Sequence, residues 1–190
     1  MQIDLIRAQN YAAEIAREAG RMHRKYFGSS KLAVRQKGII DISTNADDES
    51  GELLVRRIRE KYPGAEILME ETSPKDYSGF RDAEYLWVID PLDGTVNFSR
   101  GNANFAVSIA LVCKSKPIVG VAYLPFSDEM YVTNEETGRS YHNGRAMRVS
   151  SVDKRENRRI HPVRRKAMGF RGICAAGKKR RRKSNDAARP

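Results

Sequence analysis

At Pro63-Gly64 the spacing of apolar residues changes, and that change limits what the chain can become. Before it, apolar residues stand three and four apart. From Asp4 to Phe27 they fall at Leu5, Ala8, Ala12, Ile15, Ala19, Met22 and Tyr26, one stripe of an amphipathic helix that Gly28 is placed to stop. A short strand-like stretch, Lys31 to Gln36, follows. Thr44 or Asn45 then caps a second helix. Its acidic first turn (Asp47, Asp48, Glu49) suits the helix dipole, and its apolar positions are Leu53, Leu54 and Ile58. Beyond Gly64 the apolar residues come in short runs: "AEILME", "YLWVID", "NFAVSIALVC", "PIVGVAYLP" and "EMYVT". Polar stretches such as "SPKDYSGFRDAE" separate them, and an "HNGR" turn at His142 to Arg145 comes last. Two helices followed by four or five closely spaced strands predict an α+β fold, with the helices packed on a mainly antiparallel sheet.

Charge divides the chain a second way. The net charge of +11 suggests a nucleic-acid binder until it is located. Residues 154–190 hold 15 Lys and Arg against two acids, Glu156 and Asp186, so that segment is +13 and residues 1–153 sum to −2. The expected organisation is therefore a nearly neutral globular part, 1–153, and a basic, poorly ordered tail, 154–190. Two cysteines, Cys113 and Cys174, are too few for a disulfide framework and fit a reducing compartment. No apolar run approaches the ~18 residues a membrane span needs. Asp4, Arg7 and Glu14 interrupt the N-terminal stretch, unlike a signal peptide. These features read as a cytoplasmic protein with no membrane partner.

The stretch that bears on chemistry is "WVIDPLDGTVNF", Trp87 to Phe98. An apolar strand stops at Asp90, and Asp93 follows after Pro91 and Leu92. A turn at Pro91 would bring both acids into one pocket, where two carboxylates are costly unless a positive partner sits between them. Mg²⁺, which prefers oxygen ligands, is a natural partner. Gly94 permits close backbone approach to a ligand, and a short helix starting at Gly94 or Thr95 would offer free amides to an anion. A metal beside a phosphate seat suits phosphate-ester hydrolysis. A second acidic pair, Glu70-Glu71, closes the preceding strand and reaches the same sheet edge if the two strands are neighbours. The plainer alternative is that Asp90 and Asp93 form a turn and Glu70 is solvated surface. Residue types and spacing leave both open.

The same stretch resembles the metal-binding signature of the inositol monophosphatase family of Mg²⁺-dependent, lithium-sensitive phosphatases. It matches at Asp90, Pro91, Leu92, Asp93, Gly94, Thr95, Asn97 and Phe98. "KGIIDISTNAD" is similar to a further family segment through Lys37, Asp41, Thr44 and Asp47, and "EILMEET" to its Gly-Glu-Glu segment, with Met69 in place of the usual Gly. "NFAVSIALV" and "NGRAMRVS" resemble the strands that follow. The likeness covers about residues 1–153. It implies that Glu70, Asp90 and the Leu92 carbonyl hold a first Mg²⁺ that activates water, and that Asp90 and Asp93 hold a second at the leaving oxygen. Thr95, with Glu70, would orient and help deprotonate the water. Asp47 would act through the Thr95 hydroxyl, and the Gly94 and Thr95 amides, with Asp93, would take the substrate phosphate. The implied substrate is an inositol phosphate or related sugar phosphate, and the implied assembly a homodimer.

The resemblance also implies a second α/β domain carrying a further metal-binding Asp in a Trp-Asp motif. The single tryptophan, Trp87, is already used, so the expectation is that this domain is absent. The tail then has three readings: a truncated or frame-shifted product, a solvated tail, or a basic appendage whose "KKRRRK" contacts nucleic-acid phosphates. "GICAAGKK" nearly fits a phosphate loop but has Lys179 where the hydroxyl belongs and no strand before it. His23, on or near the apolar stripe, reads as packing or surface, and Cys113 as core.

Overall fold

The computed structural model describes residues 3–37, 42–70, 80, 83–135 and 138–143, the last of these by backbone alone. Asp41, Glu71 and everything from residue 144 onward, including the basic tail, lie outside the described residues.

Helix α1 runs Leu5–Tyr26, and its start is set by Asp4, whose carboxylate accepts the Arg7 amide at 2.9 Å. Its buried side is mostly alanine (Ala8, Ala12, Ala13, Ala16, Ala19) with Ile15 and His23. Small side chains let the helix lie close on the sheet. A Cβ at Gly20 would stand 2.5 Å from the Tyr123 ring. Strands β1 (Val34–Gln36) and β2 (Ile42–Thr44) form a separate antiparallel ribbon that delivers the chain to helix α2, Asn45–Lys61. Thr44 and Asp47 make a reciprocal capping box at its start, each taking the other's backbone amide.

The main sheet holds six strands in chain order: β3 (Glu66–Met69), β4 (Tyr85–Asp93), β5 (Ala106–Cys113), β6 (Lys116–Leu124), β7 (Glu129–Asn134) and β8 (Gly138–Asn143). Only the β3–β4 pair is parallel; the other four are antiparallel, so the expected mainly antiparallel sheet is what forms. The 15 residues between Met69 and Tyr85 give the length a parallel crossover needs. His142, expected in a turn, instead lies within β8, paired with Met130.

Strand alternation gives the sheet two faces. Trp87, Ile89, Val107, Ile109, Leu111, Val119, Val121, Met130 and Val132 form the core with α1 and α2. Leu68, Leu86, Val88 and Val112 occupy the opposite face with Phe80 and Ala83. A third cluster, Ala46, Leu92, Phe98 and Phe105, with Tyr26, Phe27 and Leu32 against it, ties the start of α2 to the end of β4. No described helix is long and apolar enough to cross a membrane.

Candidate active site

The end of β4 departs from the expected geometry. Strand pairing continues through Pro91 to Asp93, with a register irregularity between Asp90 (opposite Ser108) and Asp93 (opposite Ala106). A regular strand would point residues three apart to opposite faces. The bulge, rather than a turn at Pro91, brings the two acids within reach of one another. Proline is tolerated here because β3 stops pairing at Ile89 and the bulge skips Pro91 on the β5 side.

Parallel pairing supplies the third acid. Met69 lies beside Ile89, and the Glu70 amide donates to the Ile89 carbonyl at 3.2 Å, so Glu70 stands next to Asp90 on the face away from the helices. Burial above all, then the adjacent Glu70 carboxyl and the Asp93 charge, push Asp90 up to about 9. Burial and Glu70 push Asp93 up to about 6. No basic side chain is among the groups acting on either.

Behind this cluster, α2 contributes Asp47, buried at 1% exposure. Its Oδ2 accepts the backbone amide of Thr44 at 2.8 Å and the Thr44 hydroxyl, and its Oδ1 lies 2.9 Å from Thr95 Oγ1. Burial raises its pKa above the usual carboxylate value, against the opposing pull of those Thr44 and Thr95 hydrogen bonds. Thr95 Oγ1 is also 2.9 Å from the Leu92 carbonyl oxygen. With one proton, the hydroxyl donates to one of these acceptors at a time, and donation to Asp47 leaves the Leu92 carbonyl for another partner.

Thr95 opens the short helix α3, Thr95–Ser99. Gly94 precedes it in the left-handed region at φ 95°, where a Cβ would sit 2.9 Å from the Asn104 carbonyl oxygen. The Asn97 side chain donates to that same carbonyl at 2.9 Å and holds the loop. Phe98 is fully buried against Phe105, ring centres 4.8 Å apart. Asn97 and Phe98 thus fix the helix rather than face the acids.

Among the described residues, no three acid, His or Cys groups already stand in the arrangement of a cation's ligand shell. The donors nevertheless suit a hard divalent ion: three carboxylates and a carbonyl, all oxygen, with the Glu70 and Asp93 charges both acting on Asp90. Sequence reasoning missed one neighbour of this cluster. Ser108 lies directly across from Asp90, and its hydroxyl is buried without a hydrogen-bond partner. Only strand register could have located it.

Two helices on one face of this sheet, with acids at the ends of its first two strands, form the inositol monophosphatase type of fold. The extragenic suppressor protein suhB of Bartonella henselae superposes with TM-score 0.65 at 33% identity, over 76% of this chain and 55% of that one. The chain belongs to the inositol monophosphatase family, whose profile matches residues 4–184. It is similar to inositol monophosphatase 2 of Solanum lycopersicum, 36% identical over 141 residues, 74% of this chain and 52% of the relative. It is also similar to the Nus factor SuhB of Haemophilus influenzae, 38% identical over 143 residues, 75% of this chain and 52% of that protein. The chain therefore spans about half the length of the curated relatives it matches.

Proposed function

We propose that this chain carries the cation- and phosphate-binding part of a Mg²⁺-dependent phosphomonoester hydrolase acting on an inositol phosphate or related sugar phosphate. One observation carries the reading. Parallel pairing of β3 with β4 and the register irregularity after Asp90 gather the Glu70, Asp90 and Asp93 carboxyls at one end of the sheet, with no basic side chain among the groups acting on Asp90 or Asp93. Family membership and the name of the tomato relative support the substrate class.

In this reading Glu70, Asp90 and the Leu92 carbonyl would hold one Mg²⁺, and Asp90 with Asp93 would hold a second. Bound Mg²⁺ supplies Lewis acidity toward water and phosphoryl oxygens. The residues do the rest. Glu70 and Asp90 would present carboxylate oxygens to the ion. Asp47 accepts the Thr95 proton, which turns a Thr95 lone pair toward the attacking water. Thr95 would then orient that water and, with Glu70, take up its proton as it attacks phosphorus in line, while the opposite P–O ester bond breaks and the departing sugar oxygen takes a proton from solvent. The Gly94 and Thr95 amides steady the phosphoryl group, whose negative charge they match.

The test is Mg²⁺-dependent phosphate release from inositol 1-phosphate by the purified chain, compared with Asp93→Asn. Activity lost in the variant, with the fold retained, supports the reading. Equal activity in both, or activity independent of Mg²⁺, overturns it. A second reading keeps the cation site without turnover. It expects saturable Mg²⁺ binding and no phosphate release. Binding of the basic tail to nucleic acid is a separate alternative, read by an RNA mobility shift that residues 154–190 are required for.

A further inference from the structure

Three strands of the sheet place one side chain each in a single row. Glu70 ends β3, Asp90 sits beside it on β4, and Ser108 faces Asp90 from β5. All three lie on the face away from α1 and α2, because their strand neighbours Met69, Ile89, Val107 and Ile109 pack against the helices. Ser108 is the member with no partner. Its surroundings explain why. Across from it on β6 is Ala122, and Ala106 and Ala110 flank it on its own strand. None has a polar side-chain atom. A buried serine in a helix finds a carbonyl one turn back, as Ser50 does with Ala46 at 2.6 Å. A strand offers no such acceptor, since its carbonyls are taken by the ladder. The side chain directly opposite on the same face is the Asp90 carboxyl, a pairing that sets Cβ atoms ~5 Å apart.

Glu70 stands on the other side of Asp90, at the end of β3. An ionised Asp90 that ligates a cation needs a donor to fix its second oxygen and set its orientation. We propose that Ser108 is that donor, a positioning residue whose hydroxyl turns to the Asp90 carboxylate when the carboxylate takes up a divalent cation. The inference rests on reading Glu70, Asp90 and Asp93 as cation ligands.

The experiment uses the full chain and Mg²⁺ alone, without substrate. Titration calorimetry gives the affinity, and melting with and without Mg²⁺ gives the shift that binding produces. Ser108→Ala is expected to weaken Mg²⁺ binding about 10-fold or more. It is also expected to leave the cation-free melting temperature unchanged or raised, since it deletes an unpaired buried hydroxyl. Ser108→Thr, which keeps the hydroxyl, is expected to bind Mg²⁺ nearly as the native chain does. A residue with a merely structural role would instead lower the cation-free melting temperature and leave affinity unmoved. Native affinity in Ser108→Ala, with binding lost in Asp90→Asn, overturns the Ser108 inference and leaves the site reading intact. Equal loss in the Ala and Thr variants also overturns it, because the hydroxyl would not be the cause. No saturable Mg²⁺ binding by the native chain overturns both.

Discussion

Acid is expected to destabilise this fold through His23, by an amount the structure allows to be worked out. His23 is fully buried in the last turn of α1, between the edges of Phe98 at 5.9 Å and Phe105 at 6.1 Å. Neither ring nitrogen has a hydrogen-bond partner. Two effects compete for its charge. A helix C-terminus favours a cation by up to ~2 kcal/mol in a partly buried setting. Burial disfavours it more, and lowers the pKa from 6.5 to about 4, with no acid among the groups acting on it. Between those values the unfolded chain binds the proton and the folded chain does not, so stability falls as pH falls through this window. The loss is ~2 kcal/mol at pH 5 and ~3 kcal/mol at pH 4, a sizeable part of the ~5–15 kcal/mol typical of a domain.

The whole-protein curve does not isolate this effect. Asp47, Asp90 and Asp93 have raised values, so their proton uptake favours the folded state as pH falls, with the opposite sign. A difference measurement removes them. His23→Leu keeps an apolar side chain of similar size and deletes the two unpartnered nitrogens, so at pH 7.5 the variant should be about as stable as the native chain. Urea unfolding of both proteins at pH 7.5, 6 and 5 should show the variant gaining on the native chain by ~2 kcal/mol at pH 5. Stability curves that stay parallel within ~0.5 kcal/mol from pH 7.5 to 5 would refute the reasoning, since the imidazole would then ionise as freely folded as unfolded.

Three further outcomes are expected. Gly94→Ala combines a left-handed φ of 95° with a Cβ 2.9 Å from the Asn104 carbonyl oxygen. It should cost ~2 kcal/mol or more in urea unfolding, because backbone rather than a flexible side chain must move. Asp47→Asn replaces a carboxylate that accepts from the Thr44 amide, the Thr44 hydroxyl and Thr95 by a group with one accepting oxygen. It should lose ~1–3 kcal/mol by denaturant unfolding and reduce any phosphate release beyond what that loss explains. Mg²⁺ should raise the melting temperature of the native chain, and a chelator should reverse the rise, because an ion bound only by the folded state stabilises it.

The elements that announced themselves were those with a chemical start and a long pattern. Asp4 and the alanine-rich stripe set α1, and Thr44 with Asp47 set the start of α2. Strand β2 was not legible, because three residues with one isoleucine carry no period. The parallel β3–β4 pair was hidden for another reason. Hydrophobic runs state that strands exist but not which way they pair, and Glu70 gains its place beside Asp90 only from that pairing. Pro91 pointed to a turn, since proline in a paired strand is unusual. Whether a bulge or a turn follows depends on where each neighbouring strand stops, which is a tertiary fact. His23 was readable as packing, but the missing partners of its nitrogens were not.

Departures from regular structure gather at one corner of the sheet, beside the acids the sequence singled out. A bulge, a left-handed glycine, a hydroxyl without a partner and three acids without a base all fall between Glu70 and Ser108. Such features also occur singly elsewhere, as at Leu111/Val112, Gly28 and His23, but their gathering beside three acids is what structure kept for use rather than for stability produces. They also share a remedy. A divalent cation ligated by oxygen would balance the acids and give Ser108 an ionised acceptor in Asp90. The bulge is what lets Asp90 and Asp93 meet such an ion together. Cation binding would then stabilise the folded state, and coupling of Mg²⁺ affinity to melting temperature follows from the same geometry as the chemistry.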